Sequence, residues 1–240
     1  MEGLILRFDA PLMSFGGVKV DQHNFTDRFP GLSLFAGLVA NALGWTHNAS
    51  KDIEQLQERL IVASRWDIEP ELIIDYHTVD LGQIKMCEKG WTTRGEPEHR
   101  EGGLAARMGT HQRYRHYWAN GVLTSAITLT DDRDPDLNAL EKALNRPARP
   151  LFIGRKTCLP SIPIFLQRSH GRNVISMLAS IPRYVCQYRS ASEVMSARWP
   201  AGIDQKQPGQ IKPIYDLRDW RNQWHSGSRM VVEGIIRENS

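Results

Sequence analysis

A short segment in the middle of the chain alternates cationic and aromatic side chains, a pattern suited to single-stranded nucleic acid. It runs Thr110-His-Gln-Arg-Tyr-Arg-His-Tyr-Trp118. In such sites guanidinium groups bind phosphates while aromatic rings stack on bases. If the segment is a strand, Arg113 and Arg115 share one face, and Tyr114 and His116 share the other. The alternative is a mobile hairpin whose aromatic side chains only pack against the core.

A second candidate segment is Phe152-Ile-Gly-Arg-Lys-Thr-Cys-Leu-Pro160. Gly154 permits a close approach between the backbone and a ligand, and Arg155 and Lys156 directly after it are placed to bind a phosphate. The segment is not a P-loop, because the GxxxxGK[ST] spacing is missing. Alone the motif is weak, and it gains weight from the charge pattern around it.

The charges of the chain are segregated. Residues 142–192 contain no Asp or Glu, but they contain nine basic residues: Lys142, Arg146, Arg149, Arg155, Lys156, Arg168, Arg172, Arg183 and Arg189. The whole chain has 30 basic and 27 acidic residues, so the remainder is net acidic. A basic stretch without counter-charge predicts one wall of a polyanion site. The alternative is a basic face that has no partner.

Hydrolytic and metal chemistry have little support in the sequence. None of the eight histidines lies in an HExxH pattern, no GxSxG motif occurs, and the three cysteines lack zinc-site spacing. We therefore predict neither a metal nor another cofactor. A metal-independent ribonuclease needs only a His or Tyr base and a Lys that stabilises the developing charge. His111, His116 and Tyr114 keep that alternative open.

Composition places the chain among ordinary globular proteins. It has 240 residues, of which 41% are hydrophobic and 24% charged. No apolar run approaches the ~18 residues of a membrane helix, and the amino terminus does not have the pattern of a secretory signal. Three widely spaced cysteines indicate a reducing compartment. We expect a cytoplasmic protein without membrane contact.

The periodicity of apolar residues predicts an α+β fold. Strands are predicted at 4–8, 61–66, 72–79 and 123–129. Helices are predicted after a Ser33 cap up to Gly44, from Ser50 onward, and after an Asp134 cap followed by Pro135. Strand, helix, strand, strand, helix, strand is the order of a ferredoxin-like fold, which RNA-recognition (RRM-like) modules share.

Two segments do not fit this core. Residues 80–120 form a long glycine- and arginine-rich insertion, and a loop of that length in a compact domain is usually functional or disordered. Beyond residue 181, short strands are predicted at 183–189 and 229–237, with a Pro/Gly-rich connector at 199–213. We therefore expect a ferredoxin-like domain over residues 1–180 and a small β-rich C-terminal subdomain over 181–240.

Four stretches, in this order and spacing, carry a family resemblance that covers about residues 1–170. They are the first strand with Ala10-Pro-Leu-Met-Ser-Phe-Gly16, Asp27-Arg-Phe-Pro30 with the following helix, Asp75-Tyr-His-Thr78, and Arg149-Pro-Leu-Phe-Ile-Gly-Arg-Lys-Thr-Cys158. Together they resemble the CasD-type subunits of the type I-E CRISPR surveillance complex, Cascade, within the RAMP superfamily of RNA-binding proteins. In that family the insertion is a β-hairpin thumb.

The resemblance implies a non-catalytic subunit that caps the 5′ handle of the guide (CRISPR) RNA. It implies a CasC-type backbone subunit and a CasA-type large subunit as neighbours, and target DNA as an indirect partner during antiviral interference. Relatives in the I-C systems cut RNA, which keeps an endoribonuclease for CRISPR repeat RNA as the alternative. The predicted RNA-binding residues are Ser14, Gly16, Arg28, Arg107, His111, Arg113, Tyr114, Arg115, Arg146, Arg149, Gly154, Arg155 and Lys156.

Overall fold

Twelve strands and four α-helices make up the described part of the chain, which in this computed structural model is residues 1–17, 19–80, 110–187, 194–203 and 208–237. The strands are β1 Glu2–Asp9, β2 Leu12–Met13, β3 Lys19–Val20, β4 His23–Asn24, β5 Leu60–Ile68, β6 Glu71–Asp80, β7 Thr110–Ala119, β8 Val122–Leu129, β9 Phe165–His170, β10 Met195–Pro200, β11 Gly209–Asp219 and β12 Trp224–Ile236. The helices are α1 Leu32–Leu43, α2 Ser50–Arg59, α3 Leu137–Asn145 and α4 Val174–Ser180. The mixed α+β class agrees with the prediction.

A seven-stranded sheet in the order β11-β12-β10-β5-β8-β1-β9 carries the core. Strand β1 is apolar on both faces because successive side chains of a strand point to opposite faces of a sheet and helices cover both of them. Leu4, Leu6 and Phe8 pack into the larger buried cluster with residues of α1, α2 and α3. Ile5 points the other way, into a second cluster with residues of α4.

Two of the predicted helix caps are wrong. Helix α1 begins at Leu32 after Gly31, and the Leu32 N–H donates to the Asp216 carboxylate of β11 at 2.8 Å, so Ser33 lies inside the helix. Helix α3 begins two residues later than predicted, because the Asp136 carboxylate, which accepts from the Ala139 N–H at 2.8 Å, caps it. In both places an acceptor that satisfies the free N–H groups of the first turn sets the start.

A buried ion pair ties the sheet to α4. Arg65 on β5 is fully buried, and its Nε donates to Asp67 Oδ1 at 2.8 Å. Its Nη1 and Nη2 donate to the carbonyls of Leu178 and Ile181 at 2.6 and 2.7 Å, so they satisfy the end of the helix. Asp67 also accepts from the Thr124 hydroxyl of β8 at 2.7 Å. The buried Asp67 carboxylate therefore accepts from both Arg65 and Thr124.

A smaller sheet carries the insertion. In this sheet β7 pairs along its whole length with β6. It also pairs with the short strands β2 and β4, and β4 in turn pairs with β3. β6 and β7 are antiparallel from Glu71↔Ala119 to Asp80↔Thr110, so they form the stem from which the insertion leaves the core. Residues 81–109 of the predicted thumb lie outside the described residues.

One of the two predicted C-terminal strands is confirmed, because residues 229–236 belong to β12. Residues 183–187 do not form the predicted strand, and β10, β11 and β12 come later in the chain. Strand β10 pairs with β5 through Ala197↔Arg65 and Arg198↔Ser64, which extends the main sheet. The division of the chain near residue 180 stays a prediction. No helix in the described ranges is both long and apolar enough to cross a membrane.

We predict that Arg65→Met lowers the free energy of unfolding by about 3–5 kcal/mol, because it removes the hydrogen-bonded charge partner of the buried Asp67 carboxylate. Among the described residues, only the more distant guanidinium of Arg7, at 3.7 Å, then remains as a charge partner of that carboxylate. Urea denaturation followed by circular dichroism measures the change. Lys51→Met, at an exposed position of α2, removes the same charge and should stay within about 0.5 kcal/mol of the parent. Equal losses in the two variants would contradict a stabilising role for the buried pair.

Candidate nucleic-acid interface

The two candidate segments meet in space. The cationic cleft is a cavity of about 610 Å³ lined by Lys19, Asn24, Arg113, Arg115, Phe152, Gly154, Arg155, Lys156 and Thr157. Five of these residues are cationic and none is acidic, so the cleft attracts anions. Arg113 and Arg115 face it, whereas the rings of Tyr114 and His116 pack among other aromatic side chains, which confirms the alternation predicted for β7.

Arg155 holds the floor of the cationic cleft together. Its Nη1 donates to the carbonyl of His116 on β7 at 3.2 Å, and its Nη2 donates to the carbonyl of Asn24 on β4 at 3.1 Å. Its guanidinium also lies 4.5 Å from the centroid of the Tyr117 ring. Two of its donors are thus used within the chain, and its charge still faces the cleft. An RNA contact by Arg155 stays a prediction.

Four rings form a continuous aromatic stack behind the cationic cleft: Phe25, His23, Tyr114 and Tyr76. The ring centroids are 5.5 Å apart for Phe25 and His23, 4.7 Å for His23 and Tyr114, and 5.1 Å for Tyr114 and Tyr76. Tyr114 therefore has a ring on each side of it. Base stacking by Tyr114, as the sequence suggests, would require one of these neighbours to move.

His116 lies beneath this stack and is only 7% exposed. Its centroid is 4.7 Å from that of Phe25. Burial, helped by the nearby His23 and Arg155, lowers the pKa of His116 below its ordinary value. Its Nε2 atom is buried without a hydrogen-bond partner among the described residues. The ring is therefore neutral near pH 7 and closed to solvent.

Gly154 makes its close approach to the chain itself. Its φ is +91°, and a Cβ at this position would lie 1.5 Å from the carbonyl oxygen of Ser14. The Ser14 N–H donates to the Ile153 carbonyl at 3.2 Å, so the two loops pack backbone against backbone. The sequence correctly marks Gly154 as a place of close approach, and the neighbouring group is the Ser14 loop.

The Ser14 loop opens onto a second cavity, the adjoining pocket, of about 370 Å³. It shares Lys19, Asn24, Gly154 and Arg155 with the cationic cleft. Its other lining residues are Ser14, Phe15, Gly16, Gly17, Phe25, Asp27, Gly31, Ser33, Leu34, Tyr215, Asp216, Arg218 and His225. Among the predicted residues, the two cavities together gather Ser14, Gly16, Arg113, Arg115, Gly154, Arg155 and Lys156.

The remaining predicted residues lie elsewhere. Arg28 bonds to Glu69 and to the Ser196 hydroxyl. Arg149 donates to Asn41 Oδ1 at 2.9 Å and to the Trp45 carbonyl. It lines another, mostly apolar cavity, which shares Phe152 and Lys156 with the cationic cleft. Arg146 is exposed at the end of α3 and lines neither cavity. Arg107 and the side chain of His111 lie outside the described residues.

Sequence analysis missed several residues that line the two cavities. Lys19 lines both of them, and Phe25, Asp27, Tyr215, Arg218 and His225 line the adjoining pocket. Segment 19–27 reaches the site because β4 pairs in parallel with β7 through His23↔Tyr114 and Asn24↔Arg115. No local pattern announces that pairing. Among the described residues, no group of His, Cys, Asp or Glu is arranged to hold a metal ion.

Comparisons with known proteins agree with one another. The model of the family described as CRISPR-associated protein (Cas_Cas5) matches residues 3–232. The CRISPR system Cascade subunit CasD of Escherichia coli (strain K12) is 30% identical over 163 residues, which is 68% of this chain and 69% of that protein. A chain of a solved CRISPR RNA-guided surveillance complex has a TM-score of 0.72 at 20% identity, over 98% of this chain and 90% of that one. A solved Cas protein has a TM-score of 0.64 at 21% identity, over 99% and 98% of the two chains.

We predict that Gly154→Ala destabilises the protein by at least about 1 kcal/mol more than Gly202→Ala does. Both glycines have a positive φ, so both variants carry left-handed strain. A methyl group meets the Ser14 carbonyl only at residue 154, because nothing lies within 4 Å of the position at residue 202. Thermal unfolding of the two variants measures the difference, and equal losses would show that the contact between the loops is not tight.

Proposed function

The chain belongs to the family of CRISPR-associated Cas5 proteins, and on that premise we propose that it is a non-catalytic RNA-binding subunit of a cytoplasmic Cascade effector complex. In this role it caps the 5′ handle of the guide RNA. It anchors a CasC-type backbone subunit and a CasA-type large subunit, and it meets target DNA only through the assembled complex during antiviral interference. The cationic cleft is the observation that carries the proposal.

The proposal includes a ferredoxin-like unit within residues 1–180. Four consecutive strands at one end of the main sheet lie in the order β5-β8-β1-β9, with β9 at the edge, and every neighbouring pair among them is antiparallel. Helices α1 and α2 come between β1 and β5 along the chain, and α3 comes between β8 and β9. This alternation supports a ferredoxin-like unit of the kind that RNA-recognition modules use.

The charges of the cationic cleft suit an RNA backbone. In the described part of the chain, no ion pair joins Lys19, Arg113, Arg115 or Lys156 to a carboxylate. Asp75 lies opposite Arg115 in the strand register, but its carboxylate is bonded to His77 at 2.6 Å. Cations that have no carboxylate partner among the described residues favour phosphates as ligands, and binding phosphates releases condensed counterions.

The burial of His116 and the ring contacts of Tyr114 favour RNA binding over RNA cleavage. A general base must come within hydrogen-bond reach of the proton that it removes. His116 is buried beneath Phe25 and His23, and Tyr114 is flanked by His23 and Tyr76. A guide RNA held in the cationic cleft would meet cations, not an accessible acid–base pair. This arrangement supports a binding subunit.

An exposed apolar strand supports the anchoring of neighbouring subunits. Leu72, Ile74 and Tyr76 alternate along β6, so their side chains share one face, and each is about half exposed. Within the described ranges β6 pairs only with β7, which leaves its other edge free. Contiguous apolar surface of this kind is typical of protein–protein contacts.

We predict that single-stranded RNA binds with a strong dependence on salt, and that replacing Arg113, Arg115 and Lys156 together by Gln lowers the log–log salt slope by roughly two, since each phosphate contact contributes about 0.7. Fluorescence anisotropy with a labelled RNA of about eight nucleotides, a length within typical single-strand site sizes, measures the slope.

The matched control removes the same charge away from the cavities. Lys51, Lys142 and Arg172 are exposed and line neither the cationic cleft nor the adjoining pocket. Replacing all three by Gln should leave the slope close to that of the parent. If the two triple variants lose the same amount, the binding depends on net charge and not on the cleft.

We also predict that the purified protein leaves labelled CRISPR repeat RNA intact in EDTA, even with protein in stoichiometric excess, because no accessible acid–base pair lines the cleft among the residues that the structure describes. Gel electrophoresis of the labelled RNA gives the result. Cleavage that disappears in His111→Ala or His116→Ala would establish the endoribonuclease alternative instead.

A further inference from the structure

The adjoining pocket contains a carboxylate that the fold does not use. Two acidic residues line this pocket, Asp27 and Asp216. Asp216 accepts from the Leu32 N–H and from the guanidinium of Arg229, each at 2.8 Å, so it is needed for the fold. For the carboxylate of Asp27, no ion pair or hydrogen bond is found within the part of the chain that the structure describes.

The backbone of Asp27 is nevertheless held firmly. Its N–H donates to the Gly16 carbonyl at 2.6 Å, and its own carbonyl accepts from the indole N–H of Trp118 at 2.6 Å. Burial raises the pKa of the Asp27 carboxyl above its ordinary value. The residue as a whole is exposed, so its carboxylate can be reached by a ligand. A carboxylate beside a site for phosphates weakens anion binding unless it meets hydrogen-bond donors.

Phe25, two residues earlier, offers a flat apolar surface in the same pocket. It stands at the end of the aromatic stack, with one ring neighbour in the stack, His23, at an interplanar angle of 12°. It is 42% exposed and lines the adjoining pocket together with Asp27. A supported ring with an open side is the kind of platform on which a base of single-stranded RNA stacks.

The chemistry of Asp27 selects the base. An ionised carboxylate has two acceptor oxygens and no donor. Guanine presents two adjacent N–H donors, N1–H and the N2 amino group, whereas adenine and cytosine place a ring acceptor beside their single amino group and uracil places carbonyls on both sides of its N–H. Guanine is therefore the base that satisfies both oxygens without bringing an acceptor against one of them.

We propose that the adjoining pocket takes one guanine base of the bound RNA, stacked on Phe25 and hydrogen-bonded through N1–H and N2–H to the Asp27 carboxylate. The inference rests on the proposed RNA-binding function and adds a base-specific subsite to it. Lys19, Asn24 and Arg155 line both cavities, so a nucleotide places its phosphate in the cationic cleft and its base in the pocket. A cavity of about 370 Å³ is within the usual size range of ligand sites, ~300–1,000 Å³.

The test compares short RNAs that differ in one base. Labelled oligouridine of about eight nucleotides is the reference, and a single guanosine, inosine or adenosine replaces each uridine in turn. At one position guanosine should bind at least about tenfold more tightly than adenosine. Inosine, which lacks the N2 amino group, should lie between them.

Two variants separate the roles of the pocket residues. Asp27→Asn keeps the size of the side chain but replaces one acceptor oxygen by a donor, so it should abolish the preference for guanosine. Oligouridine should bind at least as tightly as it does to the parent, because a negative charge beside the phosphate site is removed. Phe25→Leu should weaken all the RNAs that carry a purine at the selected position. Asp132→Asn, at an exposed position outside both cavities, is the matched control and should keep the full preference.

The possible results separate a failure of the guanine subsite from a failure of the proposed RNA-binding function. Salt-dependent binding of oligouridine with no preference for guanosine, or with a preference that survives in Asp27→Asn, overturns the guanine subsite and leaves the RNA-binding function standing. If no RNA binds at low salt while circular dichroism shows a folded protein, the proposed function itself falls, and the subsite falls with it.

Discussion

The guanidinium of Arg155 joins parts of the chain that are far apart in the sequence. It binds the backbone carbonyls of Asn24 and His116 and lies over the ring of Tyr117. Strand β4 thereby stays beside β7, and the loop that follows Gly154 stays against both. Since Arg113 and Arg115 project from the same stretch of β7 toward the same cavity, the position of the cationic side chains depends on this cross-link. The cleft is therefore built on a cation that the fold itself needs.

In the same packing, the aromatic and the cationic side chains of β7 lie on opposite faces of the strand. On β7, alternate residues send charge into the cleft and rings into the stack with His23 and Tyr76. Tyr114 lies inside the stack, and the exposed rings are those at its two ends, Tyr76 and Phe25. Of these two, Phe25 lines the adjoining pocket together with Asp27, whose carboxylate has no partner among the described residues. On the proposed function, the cationic cleft takes the RNA backbone and the adjoining pocket takes a base. Burial in the same packing keeps His116 itself away from the cleft and lowers its pKa.

Local patterns in the sequence predict the residues whose neighbours are close in the chain. The period of two in Thr110–Ala119 gives the two faces of β7, and Gly154 announces a tight approach. The lack of Asp and Glu in residues 142–192 is a weaker predictor of anion-binding residues. Folding brings Glu2 and Glu141 to Arg168, at 2.8 and 2.6 Å, and the guanidinium of Arg149 bonds within the chain. Long-range contacts decide the rest. The cap of α1 by Asp216 and the parallel pairing of β4 with β7 leave no trace in the neighbouring sequence, so Lys19, Phe25 and Asp27 were not predicted.

Photo-crosslinking tests the central claim, that the RNA backbone lies in the cationic cleft, most directly. RNA with 4-thiouridine at successive positions is bound to the protein, irradiated and digested, and the crosslinked peptides are identified by mass spectrometry. The account predicts crosslinks within residues 19–27, 110–117 and 152–157, which surround the cleft and the adjoining pocket. Crosslinks confined to the other basic surface, around Arg168 and Arg172, with none in these three segments, would contradict it.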